Sequence, residues 1–182
     1  ANTAAMQAAV ALSDTVDADA ILAMHRALMA TEPRHTPGEF RTAPVWIGGG
    51  STPIGATFVG PRHELVPGAI DDLIAFAQRA DVPALPQIAV AHAQFETIHP
   101  FTDGNGRTGR ALVQAMLRNK GLTRQVTVPV SAGLLADTGA YFAALTTYRD
   151  GDAAPIVERF SQASVLAIAN GRQLVADIRD IR

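Results

Sequence analysis

The chain contains no cysteine, which removes disulfide staples and thiolate metal centres but does not identify a compartment. An excess of one charge sign is also missing. Fifteen Lys and Arg stand against 17 Asp and Glu, a net charge of −2, so there is no electrostatic footprint for nucleic acid. No apolar stretch is long enough to span a bilayer, and the start lacks a signal peptide's charged region followed by an apolar block. Internal repeats and low-complexity tracts are absent as well. These absences predict a cytoplasmic protein that uses neither nucleic acid nor membrane. The 182 residues are enough to bury a full core without a staple, and they read as one mostly helical domain. Its core is expected over about 17–165. The chain begins at Ala1 without an initiator methionine, from which we expect upstream sequence to have been removed.

Apolar periodicity predicts helices near 3–12, 17–30, 68–80, 86–99, 107–120, 138–148 and 153–169, with a last one near 171–181. Asp14 or Asp17 is a candidate cap for the second, and Gly121 can close the fifth. Between Phe40 and Pro67 the pattern changes. Val45, Trp46 and Ile47, then Gly48 and its glycine neighbours, then Thr57, Phe58 and Val59 predict a two-stranded hairpin over about 44–60. Such a hairpin is marginal alone and must lean on the helical core.

The densest chemistry lies in His99-Pro-Phe-Thr-Asp-Gly-Asn-Gly-Arg-Thr-Gly-Arg110. Ile88, Ala91, Phe95 and Ile98 lead a helix into it, and Ala111, Leu112, Ala115 and Met116 lead another out. Pro100 ends the first helix, because it lacks an N–H and biases His99 away from the αR region. Gly104 and Gly106 allow positive φ and close approach of a ligand to the backbone. Their amides and the positive end of the second helix make an anion site, for which a phosphate chain is the expected anion. Asp103 is a hard oxygen ligand suited to Mg²⁺ on nucleotide phosphates. Asn105 and the amides around Gly104 and Gly106 are placed to hold a phosphoryl group under attack. Arg107 and Arg110, three apart, serve one helix face and can clamp phosphate oxygens. His99, with an ordinary pKa near ~6.5, is the candidate base for an incoming hydroxyl.

This segment resembles the Fic-family signature His-Pro-Phe-x-Asp/Glu-Gly-Asn-Gly-Arg-x-x-Arg at every fixed position. Pro37–Arg41, Val45–Gly49, His92–Glu96 and Gly151-Asp152 after Tyr141-Phe142 also look like the family's flanking blocks, so the similarity covers roughly 17–165. The resemblance implies a Fic-type helical bundle with a hairpin flap over the active site. It implies Mg²⁺-dependent transfer of AMP from ATP to a Ser, Thr or Tyr hydroxyl of a target protein, with release of pyrophosphate. On that basis His99 is the base, Asp103 the metal ligand, and Asn105 with the glycine amides the α-phosphate holder. Arg110 orients the β- and γ-phosphates, Arg107 supports the pocket, and Phe101 anchors the loop. The kinase-like Doc branch lacks the second loop glycine; this chain keeps it, which favours AMP transfer over phosphate transfer. By the same likeness the flap, Val45–Gly48 with Thr57–Val59, receives the target segment by strand addition.

Two departures from the family pattern stand out. The inhibitory pattern Ser/Thr-x-x-x-Glu-Gly/Asn, whose glutamate pairs with the second loop arginine, is absent: the residues four before Glu32, Glu39, Glu64, Glu96 and Glu158 are Leu28, His35, Gly60, His92 and Ala154. We expect Arg110 to be free here, and an inhibitory helix or antitoxin to come from outside this chain. Where some relatives present tyrosine and asparagine to adenine, this chain has Phe142 and Arg149. Phe142 can stack on a purine, but Arg149 cannot reproduce an asparagine's donor–acceptor pair.

Other readings of the same residues were weighed. His92, Glu96 and His99, at i, i+4 and i+7, can share a helix face as a metal triad for a hydrolase, though His-Glu-x-x-His is absent and the glycine–arginine half would go unexplained. The plainer reading makes His92 a hydrogen-bonded structural residue and Glu96 a partner fixing the loop or a neighbouring helix. His25 reads as a satisfied packing histidine, His35 and His63 as exposed loop residues, and Trp46 as a strand residue at a core edge. Removal of AMP from a modified protein, or a non-enzymatic nucleotide- or peptide-binding module, are the functional alternatives. Some Fic proteins are also delivered into host cells by signals that a sequence of this kind does not reveal.

Overall fold

The computed structural model describes residues 15–123 and 129–180; the helix expected at 3–12 lies outside that range. Seven α-helices carry the described chain. They are α1 (Ala18–Leu28), α2 (Val66–Gln78), α3 (Ala84–Ile98), α4 (Asn105–Asn119), α5 (Val130–Leu135), α6 (Thr138–Arg149) and α7 (Ala154–Asp180). Two short strands, β1 (Trp46–Ile47) and β2 (Phe58–Val59), pair antiparallel with Trp46 opposite Val59 and Ile47 opposite Phe58. The expected helical bundle with a small hairpin is the architecture found.

Helix α3 is the hub. It buries residues all round, from Gln87 and Ile88 through Ala91, Phe95 and Ile98, as a helix apolar on every side must. It packs against α2, α4, α6 and α7, while α1 closes the bundle against α4 and α2. Gln87 is polar inside this core because it has work there: its Nε2 donates to the Phe76 and Arg79 carbonyls at 2.6 and 3.0 Å, satisfying the end of α2.

The caps follow the sequence signals. Asp17 accepts from the Ala20 N–H at 2.8 Å at the start of α1. Gly121, at φ 71°, closes α4 with its N–H on the Arg118 carbonyl. Two boundaries differ from the expectation. The helices expected at 153–169 and 171–181 are one helix, α7, that passes through Gly171. Nothing lies within 4 Å of a Cβ built at Gly171, so the glycine neither packs nor breaks the helix there. Helix α5 was not expected, since Gly133 reads as a breaker. In the fold Gly133 is a point of close approach: a Cβ there would meet Ala163 of α7 at 2.7 Å. Among the described residues no helix is long and apolar enough to cross a membrane.

Candidate active site

The loop from His99 to Gly104 joins α3 to α4, and the core below fixes its shape. Phe101 is fully buried, stacked on the His25 ring at 3.7 Å and 6°, with Phe40 and Phe95 around it. His25 accepts from the Gly38 N–H through Nδ1 at 2.9 Å and donates through Nε2 to the Asp103 carbonyl at 3.1 Å. Burial, ahead of the charge of Arg107, lowers its pKa, which keeps the ring in that neutral tautomer. It is the satisfied packing histidine expected, and it also pins the loop.

Asn105 holds the loop from the other side. Its Oδ1 accepts from the Phe101 N–H at 2.9 Å and its Nδ2 donates to the Phe101 carbonyl at 2.8 Å, all buried. The sequence reading gave this side chain to a phosphate. In the fold it is committed to closing the turn, and what it offers a ligand is its backbone N–H. Gly104, at φ 78°, lies against Met29 and His25 so closely that a Cβ would come to 2.9 Å from the Met29 sulfur. No side chain caps α4, so the first-turn amides of Asn105, Gly106 and Arg107 are left for a ligand.

His99 caps the end of α3 just beyond its last residue, in the left-handed region at φ 49° with its N–H on the Phe95 carbonyl. That conformation is uncommon for a residue with a Cβ and turns the ring away from the helix face that His92 and Glu96 occupy. Its Nδ1 lies 3.3 Å from the Glu96 carbonyl, which makes Nδ1 the protonated nitrogen and leaves Nε2 as an acceptor. Burial first, then the charges of Arg41 and Arg149, lowers the His99 pKa to about 4. At neutral pH the ring is therefore uncharged and able to take a proton.

Arg41 is the residue the sequence reading passed over. It is 2% exposed. Its guanidinium donates to the carbonyls of His99 at 2.8 Å, Ala43 at 2.9 Å, Pro61 at 2.6 Å and Ile98 at 3.4 Å. Its N–H donates to the Pro100 carbonyl at 2.9 Å. One side chain thus ties the turn after α3 to both feet of the hairpin. Its position in the Pro37–Arg41 block was the available signal.

Two cavities meet above this framework. One, of about 290 Å³, is lined by Val45, Trp46, His99, Asp103, Gly104, Asn105, Gly106, Arg107 and Arg110. The other, of about 170 Å³, lies between hairpin and α6 and includes Ile47, Thr57, Phe58, Glu96, Phe142 and Arg149. Gly106 and Arg110 line both. Trp46 therefore faces the first cavity, half-buried, rather than a core edge. Gly48 and Val59 line neither; Gly48, at φ 76°, turns the chain where a Cβ would strike the Thr57 hydroxyl at 2.6 Å. A roomier cavity of about 430 Å³ between α2 and α3 contains none of these residues.

Asp103 is half-exposed, its Oδ2 3.5 Å from Arg107 and 3.8 Å from His35. His35 and His63 are accordingly only partly exposed, and His35 belongs to the rim of the site. Among the described residues no three His, Asp or Glu side chains gather around one point. A single accessible carboxylate fits Mg²⁺ that keeps waters and shares nucleotide phosphates, not an ion held by a protein cage. The hydrolase triad is not assembled. His92 sits in the core with Nε2 2.9 Å from the Tyr141 hydroxyl, while His99 has left the helix. Glu96 is buried behind the loop, one carboxylate oxygen unpartnered, and burial pushes its pKa up to about 7 against the pull of Arg110 and Arg149. A Cβ at Gly109 would come to 2.7 Å from that carboxylate and 3.1 Å from the Phe95 ring, so any larger residue there obliges Glu96 to shift. Arg110 forms no ion pair with any described carboxylate.

A glycine-rich turn between two helices, a two-stranded hairpin beside it and a helix start with no side-chain cap belong to a class of protein that the comparisons name. The model of the Fic/DOC family matches residues 15–117, and the chain belongs to that family. It is 29% identical over 155 residues to "Protein adenylyltransferase fic-1" of Caenorhabditis elegans and 31% identical over 156 residues to the protein of that name in Caenorhabditis briggsae. These matches cover 84% and 82% of this chain but 28% of each relative. A crystal structure of a Fic family protein from Desulfovibrio desulfuricans superposes with a TM-score of 0.74 at 28% identity, over 94% of this chain and 51% of that one.

Proposed function

We propose that this chain transfers AMP from ATP to a Ser, Thr or Tyr hydroxyl of a protein. One observation carries the reading. The acceptor nitrogen of neutral His99, the free amides at the start of α4, and both loop arginines converge on one cavity of about 290 Å³. The adenylyltransferase names of the relatives support the same chemistry.

In this reading the phosphates lie on the α4 amides, with Arg110 and Arg107 as donors to their oxygens. The target hydroxyl attacks the α-phosphorus in line. The new O–P bond forms as the bond to the bridging oxygen of the β-phosphate breaks, and pyrophosphate leaves. The hydroxyl proton passes to His99 Nε2, which the lowered pKa leaves unprotonated, with its lone pair free, at neutral pH. Nδ1–H stays on the Glu96 carbonyl and keeps the ring aimed. Asp103 would hold Mg²⁺, which when bound offsets phosphate charge. Arg41 fixes the backbone of His99 and the feet of the hairpin, so the base and the target-binding flap move as one unit. The two-stranded hairpin leaves strand edges unpaired, which suits addition of a target segment as a further strand.

The test is label transfer into the chain and into a lysate, with Mg²⁺ and ATP labelled at the α- or the γ-phosphate. Label from the α position alone, lost with His99→Ala, is the expected result. Label from the γ position would mean a reversed nucleotide and phosphate transfer, and label from neither would overturn the reading.

A further inference from the structure

The cavity between hairpin and α6 meets the phosphate cavity at Gly106 and Arg110. A nucleotide with its phosphates on α4 therefore directs its base into this cavity, beside Phe142 and Arg149; the inference rests on the nucleotidyl-transfer reading above. Most of this cavity is apolar, as a base pocket should be. Three polar side chains line it from α6: Tyr141 and Thr146 are already bonded to His92 and to the Phe142 carbonyl, whereas Arg149, in the last turn of that helix, is hydrogen-bonded to no described residue.

Arg149 crosses from α6 to the hairpin and lies over the Phe58 ring, Cζ 3.6 Å from the centroid. No described residue accepts a hydrogen bond from it, and its Nε is buried without a partner. A guanidinium resting on an aromatic face keeps its N–H groups pointing sideways, and Arg149 lines the cavity. It offers donors only.

The edges of the two purines answer that donor set differently. Adenine presents an acceptor at N7 beside a donor at its N6 amino group; guanine presents two acceptors, N7 and O6. The planar fork of an arginine meets both guanine acceptors with two parallel hydrogen bonds. Against adenine, one of its donors faces another donor. We propose that Arg149 sets the base preference of this site toward a purine with oxygen at C6. GTP then binds more tightly than ATP and competes with it as nucleotidyl donor, while ATP is taken through the phosphate contacts that every nucleotide shares.

The experiment is calorimetric titration of the chain, with Mg²⁺, by the α,β-methylene analogues of GTP, ITP and ATP. Hypoxanthine in ITP keeps O6 and N7 but lacks guanine's 2-amino group, so it isolates the edge that Arg149 reads. We expect the GTP and ITP analogues to bind about tenfold or more tightly than the ATP analogue. Arg149→Gln, whose amide matches adenine's edge, should remove or reverse that ratio without abolishing ATP binding. Arg149→Lys, which keeps the charge but loses the fork, should shrink it. Equal or tighter ATP binding by the unaltered chain would overturn the proposal, as would ITP grouping with ATP. Uniform weakening of all three by Arg149→Gln would also overturn it, leaving Arg149 a brace for the hairpin. Failure of all three to bind, or binding indifferent to Arg110→Ala, would overturn the nucleotide reading itself and this inference with it.

Discussion

The two ends of the site are built in opposite ways. At the phosphate end nearly every side chain that shapes the loop is already satisfied: Asn105 by Phe101, His25 by Gly38 and Asp103, Arg41 by four carbonyls. What is left open there are backbone amides, Arg110 and one imidazole nitrogen, while Arg107 pairs at 3.5 Å with half-exposed Asp103. At the other end Tyr141 and Thr146 are hydrogen-bonded, but two buried polar atoms, Arg149 Nε and Glu96 Oε1, are unpartnered. The first end needs no ligand to hold its shape and is poised for any triphosphate. The second has donors and acceptors still to be met, and there selectivity between nucleotides can be set.

That contrast can be broken at the phosphate end first. His99→Ala should lower transfer by about 10²–10⁴-fold while leaving the melting temperature nearly unchanged, since the ring supplies chemistry and the fold rests on others. Rate and thermal melt measured on one preparation check this. A rate within a few-fold of the unaltered chain would remove His99 as the base. Arg110→Ala should cost about 10²-fold in rate, because a donor aimed at developing phosphate charge is lost. Arg41→Met comes next: it leaves several buried carbonyls without a donor and should cost roughly 3 kcal/mol or more in urea unfolding, together with activity.

Asn105→Ala separates the loop's closure from its chemistry. It strands the Phe101 N–H and should cost about 1–3 kcal/mol of stability. If it instead left stability untouched and abolished only nucleotide binding, the side chain would belong to the phosphate after all. Gly109→Ala, pressing on Glu96 and Phe95, should cost about 1–3 kcal/mol, read as a fall in melting temperature.

The smallest effect sharpens the contrast through pH. His92 and His99 sit near a pKa of about 4 in the fold, below the ordinary value near ~6.5, because burial disfavours their charged forms. Between those values the unfolded chain binds more protons, so their contribution is whole above about 6.5 and is lost as pH falls toward 4. Glu96, held up to about 7, has the opposite sign: its contribution is present below the ordinary carboxylate range and lost as pH rises through about 7. Stability in urea should therefore rise from pH 4.5 to 6.5, and Glu96→Gln should steepen the rise. An unchanged slope would mean that Glu96 titrates normally. The acid limb of the rate profile should likewise fall near pH 4, not near the ordinary histidine value.

The phosphate end was legible in the sequence because each residue from His99 to Arg110 differs in chemistry and the glycines fall where the turn needs them. The bundle was legible because α1, α2 and α4 carry clear apolar periodicity, α3 is apolar on every side, and the Asp17 and Gly121 caps are local. What escaped was long-range. The carbonyls that Arg41 holds come from Ile98 and His99, far along the chain, and from Ala43 and Pro61 at the hairpin's feet. Gly133 and Gly171 look alike as breakers, yet one is pressed against Ala163 and the other meets nothing. The side chain of Asn105 looked like a ligand holder because its own partner, Phe101, reads only as an apolar anchor.

The most direct measurement is peptide mass spectrometry of a lysate incubated with the chain, Mg²⁺ and ATP, compared with His99→Ala. The account predicts hydroxyl-bearing residues carrying an AMP adduct with the unaltered chain and none with the variant. Phosphate adducts in place of AMP, or AMP adducts at equal level with both proteins, would contradict it.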